Sequence, residues 1–287
     1  MAGRPEAFFL PTAAGARFCL YHEPHPRDNG RAKSPRLRGA ILYVHPFAEE
    51  MNKSRWMAAE QARRFCRLGW AVLQVDLTGC GDSEGDFSDA TWRLWLADLA
   101  AAWRWLDERT GSQEHERWLW GVRLGGLLAA AFAGQCSPDA RGLLLWQPVL
   151  SGAQHLNQFL RLRTVSGALT GVAAENARSL RAELDAGRCL EIAGYTISPE
   201  LALSMQSAEL GTMHPIPACV HWLDVAGQST EASPAAKRVS DAWGARGVQV
   251  NHSVVQGTAF WQTQEIEMCP SLLEATEAAF APQAAAA

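Results

Sequence analysis

The residues best placed to do chemistry lie in the run 118–126, which reads WLWGVRLGG. An apolar segment leads into Gly-x-Arg-x-Gly, and the following LLAAA has the composition of a helix. A sharp turn from strand to helix between glycines exposes one side chain above a sheet, where enzymes of this layout carry a nucleophile. Here that residue is Arg123, whose guanidinium stays protonated and cannot attack a carbonyl carbon. The turn predicts a catalytic scaffold, but its central residue excludes the usual covalent chemistry.

The other members of a catalytic triad are also missing from their expected places. In this layout the nucleophile is followed along the chain by an acid and then by a histidine. The acid is expected just past the predicted strand 220–223, where Asp224 is the nearest candidate. The expected histidine turn, at 257–260, reads Gly-Thr-Ala-Phe, and His252 falls inside a predicted strand. Without a hydroxyl and its base, we expect catalysis to be non-standard or lost.

Two polar loops follow predicted strands at the edge of the sheet where ligands bind in such folds. Residues 46–55 follow the strand 39–45 and occupy the place of a loop that stabilises an oxyanion. Residues 79–86 form a Gly-rich acidic turn after the strand 70–77. We predict that the ligand-binding residues are Arg123, Leu124, Phe47, Glu49, Glu50 and Asp82, and the candidates for catalysis are Glu49, Asp82, His45 and Asp224.

Arg123 has two possible roles. Beside the first N–H groups of the following helix, its guanidinium would bind a carboxylate or phosphate. Alternatively, an acid on a neighbouring loop (Glu49, Glu50, Asp82 or Asp86) neutralises it, and the pocket is inactive. The sequence leaves both open. A histidine at the start of the loop 46–55, the place of His45, is more often structural than catalytic. Cys80 is expected to be a small buried residue rather than a substitute nucleophile.

Composition excludes several classes of function. The 287 residues carry a net charge of −4, which favours neither nucleic acid nor an anionic membrane surface as partner. No segment approaches the roughly 20 apolar residues of a membrane span, and the N-terminal residues lack the layout of a secretory signal. The seven cysteines are scattered without a C-x-x-C pair, so we expect reduced thiols, a cytoplasmic protein and no metal or cofactor.

Strand and helix patterns alternate along the chain, which predicts an α/β fold with a mainly parallel, doubly wound sheet of about eight strands. Trp92, Trp95 and Trp103 share one face of a long helix, and we interpret this stripe as core packing. Besides the elbow strand and its helix, strands are predicted at 8–10, 16–22, 39–45, 70–77, 142–146, 220–223 and 248–255, and helices at 54–68, 92–106, 233–245 and 270–280.

Four runs together resemble a known family: HPFAEEMNKSR, QVDLTGCGDSEGDF, LWGVRLGGLLA and GTAFWQTQEIEMCPSLL. They are similar to α/β-hydrolase-superfamily proteins associated with exosortase A loci, bacterial clusters for exopolysaccharide production and for sorting proteins with a PEP-CTERM tail. The resemblance implies an α/β-hydrolase fold, a cytoplasmic protein and a hydrolase of esters or thioesters. It does not supply a substrate.

The resemblance also guides the division into domains. About seventy residues with helical patches separate the strand 142–146 from the strand 220–223, far more than a strand-to-helix connection needs. In α/β-hydrolases a helical cap is inserted there, so we assign residues 152–211 to a cap and residues 1–151 and 212–287 to the core. The alternative is a pair of peripheral helices that cover nothing.

Three hypotheses on function remain. The first is a hydrolase whose water-activating site uses Glu49, Glu50, Asp82 or His45. The second is a pseudoenzyme that binds an anionic metabolite or a carrier-linked glycan intermediate at Arg123. The third is a structural partner of the exopolysaccharide machinery that presents the cap as its interaction surface. Homo-oligomerisation is compatible with all three.

Overall fold

The computed structural model describes residues 4–24, 37–111, 115–136, 139–170, 176–214 and 216–281, with the backbone alone at 165–170. Within these residues, eight strands form a central sheet in the order β1-β2-β4-β3-β5-β6-β9-β10. β2 is antiparallel to both β1 and β4, and the other pairs are parallel. The strands of this sheet are β1 (Glu6–Thr12), β2 (Gly15–His22), β3 (Gly39–Val44), β4 (Trp70–Val75), β5 (Glu116–Val122), β6 (Gly142–Trp146), β9 (Cys219–Ala226) and β10 (Gln249–Gln256). The predicted fold class is confirmed.

Helices cover both faces of the sheet, which explains the continuous apolar runs of β3 and β6. Ala40, Leu42 and Val44 of β3 belong to the same buried cluster as residues of α2 and α3, whereas Ile41 and Tyr43 belong to the cluster that includes residues of α1 and α8. The helices are α1 (Glu49–Arg67), α2 (Trp92–Thr110), α3 (Leu124–Cys136), α4 (Gly152–Thr170), α5 (Ala177–Asp185), α6 (Pro199–Ser207), α7 (Pro234–Gly244) and α8 (Pro270–Phe280).

Helix α2 carries the tryptophan stripe. Trp92, Trp95 and Trp103 are buried in the core, as predicted. The hydroxyl of Thr91 accepts a hydrogen bond from the backbone N–H of Leu94 at 3.1 Å and caps the first turn. The stripe therefore belongs to the scaffold.

Helix α1 begins at Glu49, five residues before the predicted start at residue 54. Its first turn is polar, so the apolar periodicity of the sequence becomes visible only further along the helix. Acidic side chains are favoured there because the helix dipole is positive at its N-terminus. The prediction of an irregular loop at 46–55 is therefore wrong beyond Ala48, and Glu49 and Glu50 project from a rigid element.

The segment 152–211 leaves and rejoins the core at neighbouring points. Gly152 N–H donates to Ala208 O at 2.9 Å, and Leu210 N–H donates to Leu150 O at 2.8 Å. The segment holds α4, α5 and α6 and an unpredicted antiparallel hairpin of β7 (Leu190–Ile192) and β8 (Tyr195–Ile197). None of its described strands joins the central sheet. Its assignment as a separate cap domain stays a prediction.

The described residues lack two features, a membrane-spanning helix and a metal-binding cluster. Among them, no helix combines the length and apolar character that crossing a membrane would require. In the same ranges, no group of three or more His, Cys, Asp or Glu side chains is arranged to hold a metal ion.

Candidate functional site

The turn between β5 and α3 has the geometry of a nucleophile elbow. Arg123 has φ 54°, a left-handed conformation that is strained for a residue with a Cβ atom. A Cβ atom on Gly121 would lie 2.4 Å from Gly126 Cα, and one on Gly125 would lie 2.3 Å from Val44 O. The glycines are therefore needed for strand and helix to cross so closely, and the predicted elbow is confirmed.

The side chain at the elbow is a paired cation. Arg123 Nε donates to Glu50 Oε1 at 3.3 Å, and Nη1 donates to Gln147 O at 3.3 Å. The guanidinium lies over the indole of Trp261, 5.2 Å from the ring centroid. The side chains of Arg123 and Glu50 are only 11% and 14% exposed. Of the two roles left open for Arg123, neutralisation by an acid is the one observed.

The acid that neutralises Arg123 is Glu50. Within the described residues, no ion pair joins Arg123 to the other three candidates, Glu49, Asp82 and Asp86. Glu50 reaches the elbow because the first turn of α1 follows directly on β3, which is the neighbour of β5 in the sheet.

A cavity of about 290 Å³ adjoins this pair. It lies between the end of β3, helix α4 and the turn that follows β10. The ring of Phe47 meets Phe159 of α4 edge to face at 4.9 Å between centroids, and His155 at 5.7 Å. The lining residues are Phe47, Ala48, Glu49, Glu50, His155, Gln158, Phe159, Leu162, Trp261 and Gln262. An aromatic wall therefore surrounds a small number of polar groups.

Three of those polar side chains have buried atoms without partners. Glu50 Oε2, both ring nitrogens of His155 and Trp261 Nε1 make no hydrogen bond to any described residue. His155 is only 6% exposed, so solvent does not readily replace a partner. Burying a polar group without a hydrogen bond costs about 1–3 kcal/mol in proteins, and such groups are uncommon. Three residues with such atoms line this cavity, and others of the described residues, among them Gln61 and Trp120, carry such atoms away from it.

Burial controls the charge at this site. It raises the pKa of Glu50, against the opposing effect of Arg123. Burial, together with the positive charge of Arg123, lowers the pKa of His155 to about 3. His155 is therefore neutral at physiological pH, and Arg123 already has a carboxylate partner.

His45 has a structural role. Its Nδ1 lies 2.7 Å from Pro46 O, and its Nε2 accepts a hydrogen bond from Leu77 N–H at 3.2 Å. Burial lowers its pKa, so the ring is neutral, with both nitrogens engaged. It links the ends of β3 and β4 and has no capacity left for catalysis. Leu124 is buried beside it, against a void of only about 10 Å³.

The acidic turn 79–86 does not wall the cavity, and the expectation that it would is wrong. Asp82 is exposed and lines a separate depression with Asn52, Arg55 and Tyr195. Asp76 holds the turn in place: its Oδ2 accepts from Arg55 Nη2 at 2.9 Å and from Asp82 N–H at 3.1 Å. Cys80, in the same turn, is buried, and burial raises its pKa, so it is no nucleophile.

Asp224 and His252 form a pair that the sequence analysis missed. β9 extends to Ala226, so Asp224 lies inside the strand and not just past its end. Its Oδ2 is 2.8 Å from His252 Nε2, and its Oδ1 accepts from Trp222 Nε1 at 2.9 Å. His252 also stacks on Trp222. The alignment of the parallel strands β9 and β10 brings Asp224 and His252 together. A single sequence carries no signal for this alignment.

Two residues of the cavity were also missed: His155 and Trp261. His155 lies near the start of α4, in a segment read only as helical patches. Trp261 directly follows the Gly-Thr-Ala-Phe turn in which a catalytic histidine was sought. The missing histidine of this turn is the signal that points to Trp261, whereas no local signal identifies His155.

Solved structures share the fold at low sequence identity. A soluble variant of monoglyceride lipase from Saccharomyces cerevisiae is 12% identical, with a TM-score of 0.64, over 97% of this chain and 94% of that chain. Est1E from Butyrivibrio proteoclasticus, solved with ferulic acid, is 17% identical, with a TM-score of 0.62, over 96% of each chain. Identities this low show the fold alone.

The sequence also matches a protein family. No curated protein matches the chain. The family profile described as serine aminopeptidase, S33, matches residues 35–190, which is more than half of the 287 residues and includes the elbow. With the strand order, the elbow geometry and the related folds, this match shows that the chain belongs to the S33 serine aminopeptidase family of α/β-hydrolases.

Proposed function

We propose that this protein is a non-catalytic member of its family that binds a small molecule in the cavity between the elbow and α4. The observation that carries the proposal is a cavity of about 290 Å³ beside the elbow, lined by aromatic rings and by the polar side chains of Glu50 and His155. At the same time Arg123, in the place of the nucleophile, is engaged by Glu50. The site has the features needed to hold a ligand but lacks those needed to form an acyl-enzyme.

Three histidines bear on the standard mechanism. His45 is bonded to the backbone through both ring nitrogens, and His252, which pairs with Asp224, does not line the cavity. His155 faces the cavity, but its pKa of about 3 makes it a very weak base. Proton transfer is most efficient when the pKa of the base lies near the working pH.

A second candidate function is hydrolysis of an ester or thioester by a water that Glu50 activates. The observation that favours it is that Glu50 lines the cavity and that burial raises its pKa. A carboxylate with a raised pKa is a better general base near neutral pH. Nothing at the elbow supplies a covalent intermediate, so this route would require direct attack by water.

An anionic ligand at Arg123 is less well supported than an uncharged one. Glu50 and Gln147 occupy two of the donors of the guanidinium. A carboxylate or phosphate in the cavity would meet Glu50 before it met an uncompensated positive charge. This argument applies equally to a carrier-linked intermediate with a phosphate.

The test combines a binding assay with a turnover assay. A set of small fragments is added to labelled protein, and binding is read from the indole Nε1–H resonance of Trp261, assigned with Trp261→Phe. Gln158→Trp, on the exposed rim of the cavity, should abolish binding. Gln154→Trp, one turn away on the same exposed helix surface, should not. Turnover of p-nitrophenyl esters or acyl thioesters that Glu50→Gln eliminates would replace this proposal with the second candidate.

We also propose that the protein acts in the cytoplasm beside an exopolysaccharide assembly system. Support comes from the four sequence runs that resemble exosortase A-associated proteins. The segment 152–211, if it is a cap, provides the surface for partners, and Leu203 on α6 is 66% exposed. Deletion of the gene should lower the exopolysaccharide yield, and Gln158→Trp should fail to restore it. Normal yield after deletion would contradict the association.

A further inference from the structure

We infer that strand β10 is the contact surface for a second copy of this chain. The two β10 strands pair antiparallel about a two-fold axis, so that the two central sheets become one continuous sheet across the dimer. No residue of β10 lines the cavity beside the elbow, and this contact is therefore independent of the proposed ligand binding.

The outer side of β10 carries unpaired backbone groups. Among the described strands, β10 is last in the sheet and pairs only with β9. Gln249 N–H donates to Ala218 O at 2.9 Å, and Gly257 N–H donates to Ala226 O at 3.1 Å. The backbone groups of the odd-numbered residues therefore point towards β9, and those of the even-numbered residues point outward. The outward residues are Val250, His252, Val254 and Gln256. Within the described residues only one of these groups has a partner, the carbonyl oxygen of Gln256, which accepts from the Ser271 hydroxyl.

The side chains of β10 do not protect this edge. The strand reads QVNHSVVQ, without Lys, Arg, Asp, Glu, Pro or Gly, and every residue in it is half-buried or exposed. Proteins commonly block an exposed edge with charges, prolines or bulges, because unpaired backbone groups recruit another strand. The opposite edge of the sheet, β1, contains Pro11 and Glu6, which pairs with Arg109. One edge is therefore protected, and β10 is left open to a further strand.

The strand β10 complements itself in one antiparallel register. An axis at Ser253 sets His252 opposite Val254 of the second copy, and Val250 opposite Gln256 of the second copy. All four outward residues are then paired, and each pair can exchange two backbone hydrogen bonds. No acidic or basic side chain lies opposite a side chain of like charge, which is the usual obstacle to self-pairing. Two-fold dimers are also the commonest protein oligomers, and a strand that complements itself needs no other protein.

The first test measures the mass of the full-length protein by sedimentation equilibrium. We expect about twice the 31.3 kDa of one chain. Val254→Pro removes an outward N–H and spares the bonds to β9, so the dissociation constant of the dimer should rise at least about tenfold. Val254→Thr keeps the N–H and the shape of the side chain, and it should remain dimeric. A wild type that is monomeric up to about 0.1 mM overturns the inference.

The second test uses charge and does not depend on whether the proline variant folds. Gln249 and Ser253 are both exposed and line the same groove beside α8. Ser253→Lys places two cations opposite each other at the axis, so it should weaken the dimer at least about tenfold. Gln249→Lys should not, because in this register the two copies of residue 249 lie about 26 Å apart. Circular-dichroism melting establishes that each variant is folded.

The third test fixes the register with cysteines. Under mild oxidation Ser253→Cys should form a disulfide-linked dimer, since the two copies of residue 253 face each other across the axis. Gln249→Cys should link no more than the wild type, in which Cys136 and Cys189 are exposed. A dimer that neither Val254→Pro nor Ser253→Lys weakens uses another surface and overturns the inference. Linking through residue 249 in place of residue 253 overturns it as well.

Discussion

Two arginine–carboxylate pairs lie close to the same edge of the sheet, and they differ in how completely their hydrogen bonds are satisfied. Arg17 is fully buried, and its Nε lies 2.7 Å from Asp98 Oδ1. The other oxygen of Asp98 accepts from the N–H and hydroxyl of Thr78 at 2.7 and 2.6 Å. The remaining donors of Arg17 bond to the backbone carbonyls of Ala14, Ala16 and Glu84.

The pair at the elbow is incomplete by comparison. Arg123 and Glu50 are joined by one longer contact of 3.3 Å, and Glu50 Oε2 has no partner among the described residues. Glu50 lines a cavity, whereas backbone carbonyl groups surround the Arg17–Asp98 pair. A satisfied buried network rigidifies a fold, whereas a partly satisfied one is costly unless it serves another purpose. The difference separates scaffold from candidate binding site.

The largest effect is expected at the complete pair. Arg17→Leu leaves the buried carboxylate of Asp98 without its cation, and we expect a loss of about 3–5 kcal/mol in the free energy of unfolding. Urea denaturation measures it. The control is Arg188→Leu in the surface pair with Glu183, which should lose under about 1 kcal/mol. Similar losses in the two variants would contradict the structural role of Arg17.

Breaking the Arg123–Glu50 pair should destabilise the protein less than breaking the Arg17–Asp98 pair. Arg123→Leu is expected to lower the free energy of unfolding by about 2 kcal/mol, because Glu50 borders a cavity and can take up a proton. The double variant Arg123→Leu/Glu50→Leu should recover most of the loss, and a double-mutant cycle in urea measures this coupling. A loss as large as that of Arg17→Leu would show that the elbow pair is part of the scaffold. So would losses in the two single variants that simply add up in the double variant.

A pH dependence of stability tests the burial of His155. Its pKa in the folded state, about 3, lies below its ordinary value of 6.5. The contribution of the neutral ring to the free energy of unfolding is therefore fully present above pH 6.5 and is lost as the pH falls towards 3. The slope is on the order of 1.4 kcal/mol per pH unit in that window. His155→Phe should remove this slope in urea unfolding series between pH 7 and 4. An unchanged slope would show that the ring is solvated.

Glu50→Gln tests a pH dependence of stability that has the opposite sign and is measured in the same experiment. The pKa of Glu50 is raised above its ordinary value of 4.5 in the folded state, so wild-type stability falls as the pH rises from 4.5 through the raised pKa. The variant should lack this fall and should differ least from the wild type below pH 4.5. A wild type that gains stability over the variant as the pH rises would mean that Arg123 outweighs burial.

The smallest effect is expected from restoring a hydroxyl group at the elbow. Arg123→Ser should hydrolyse p-nitrophenyl acetate at no more than background rates, since both ring nitrogens of His45 are engaged, His252 does not line the cavity and His155 is a very weak base. The wild type should resist labelling by serine-directed phosphonates. Efficient turnover by the variant would show that a histidine reaches the elbow and that the site is closer to a triad than its geometry indicates.

The sheet, the helices around it and the elbow were predictable because their signals are local. Buried parallel strands appear as apolar runs such as β3, and the glycines around Arg123 mark the sharp turn. The start of α1 and the hairpin β7–β8 were missed. A polar first turn hides helical periodicity, and strands of three residues are too short to show alternation.

The sequence by itself determined what the site lacks: a nucleophile at residue 123 and a histidine in the turn 257–260. It also determined that some acid was available to neutralise Arg123. Only the tertiary structure decided that this acid is Glu50, 73 positions away along the chain, and that His155 and Trp261 complete the cavity. The physical reason is that spacing along a chain defines faces of one helix or strand, whereas contacts between distant elements depend on how those elements pack.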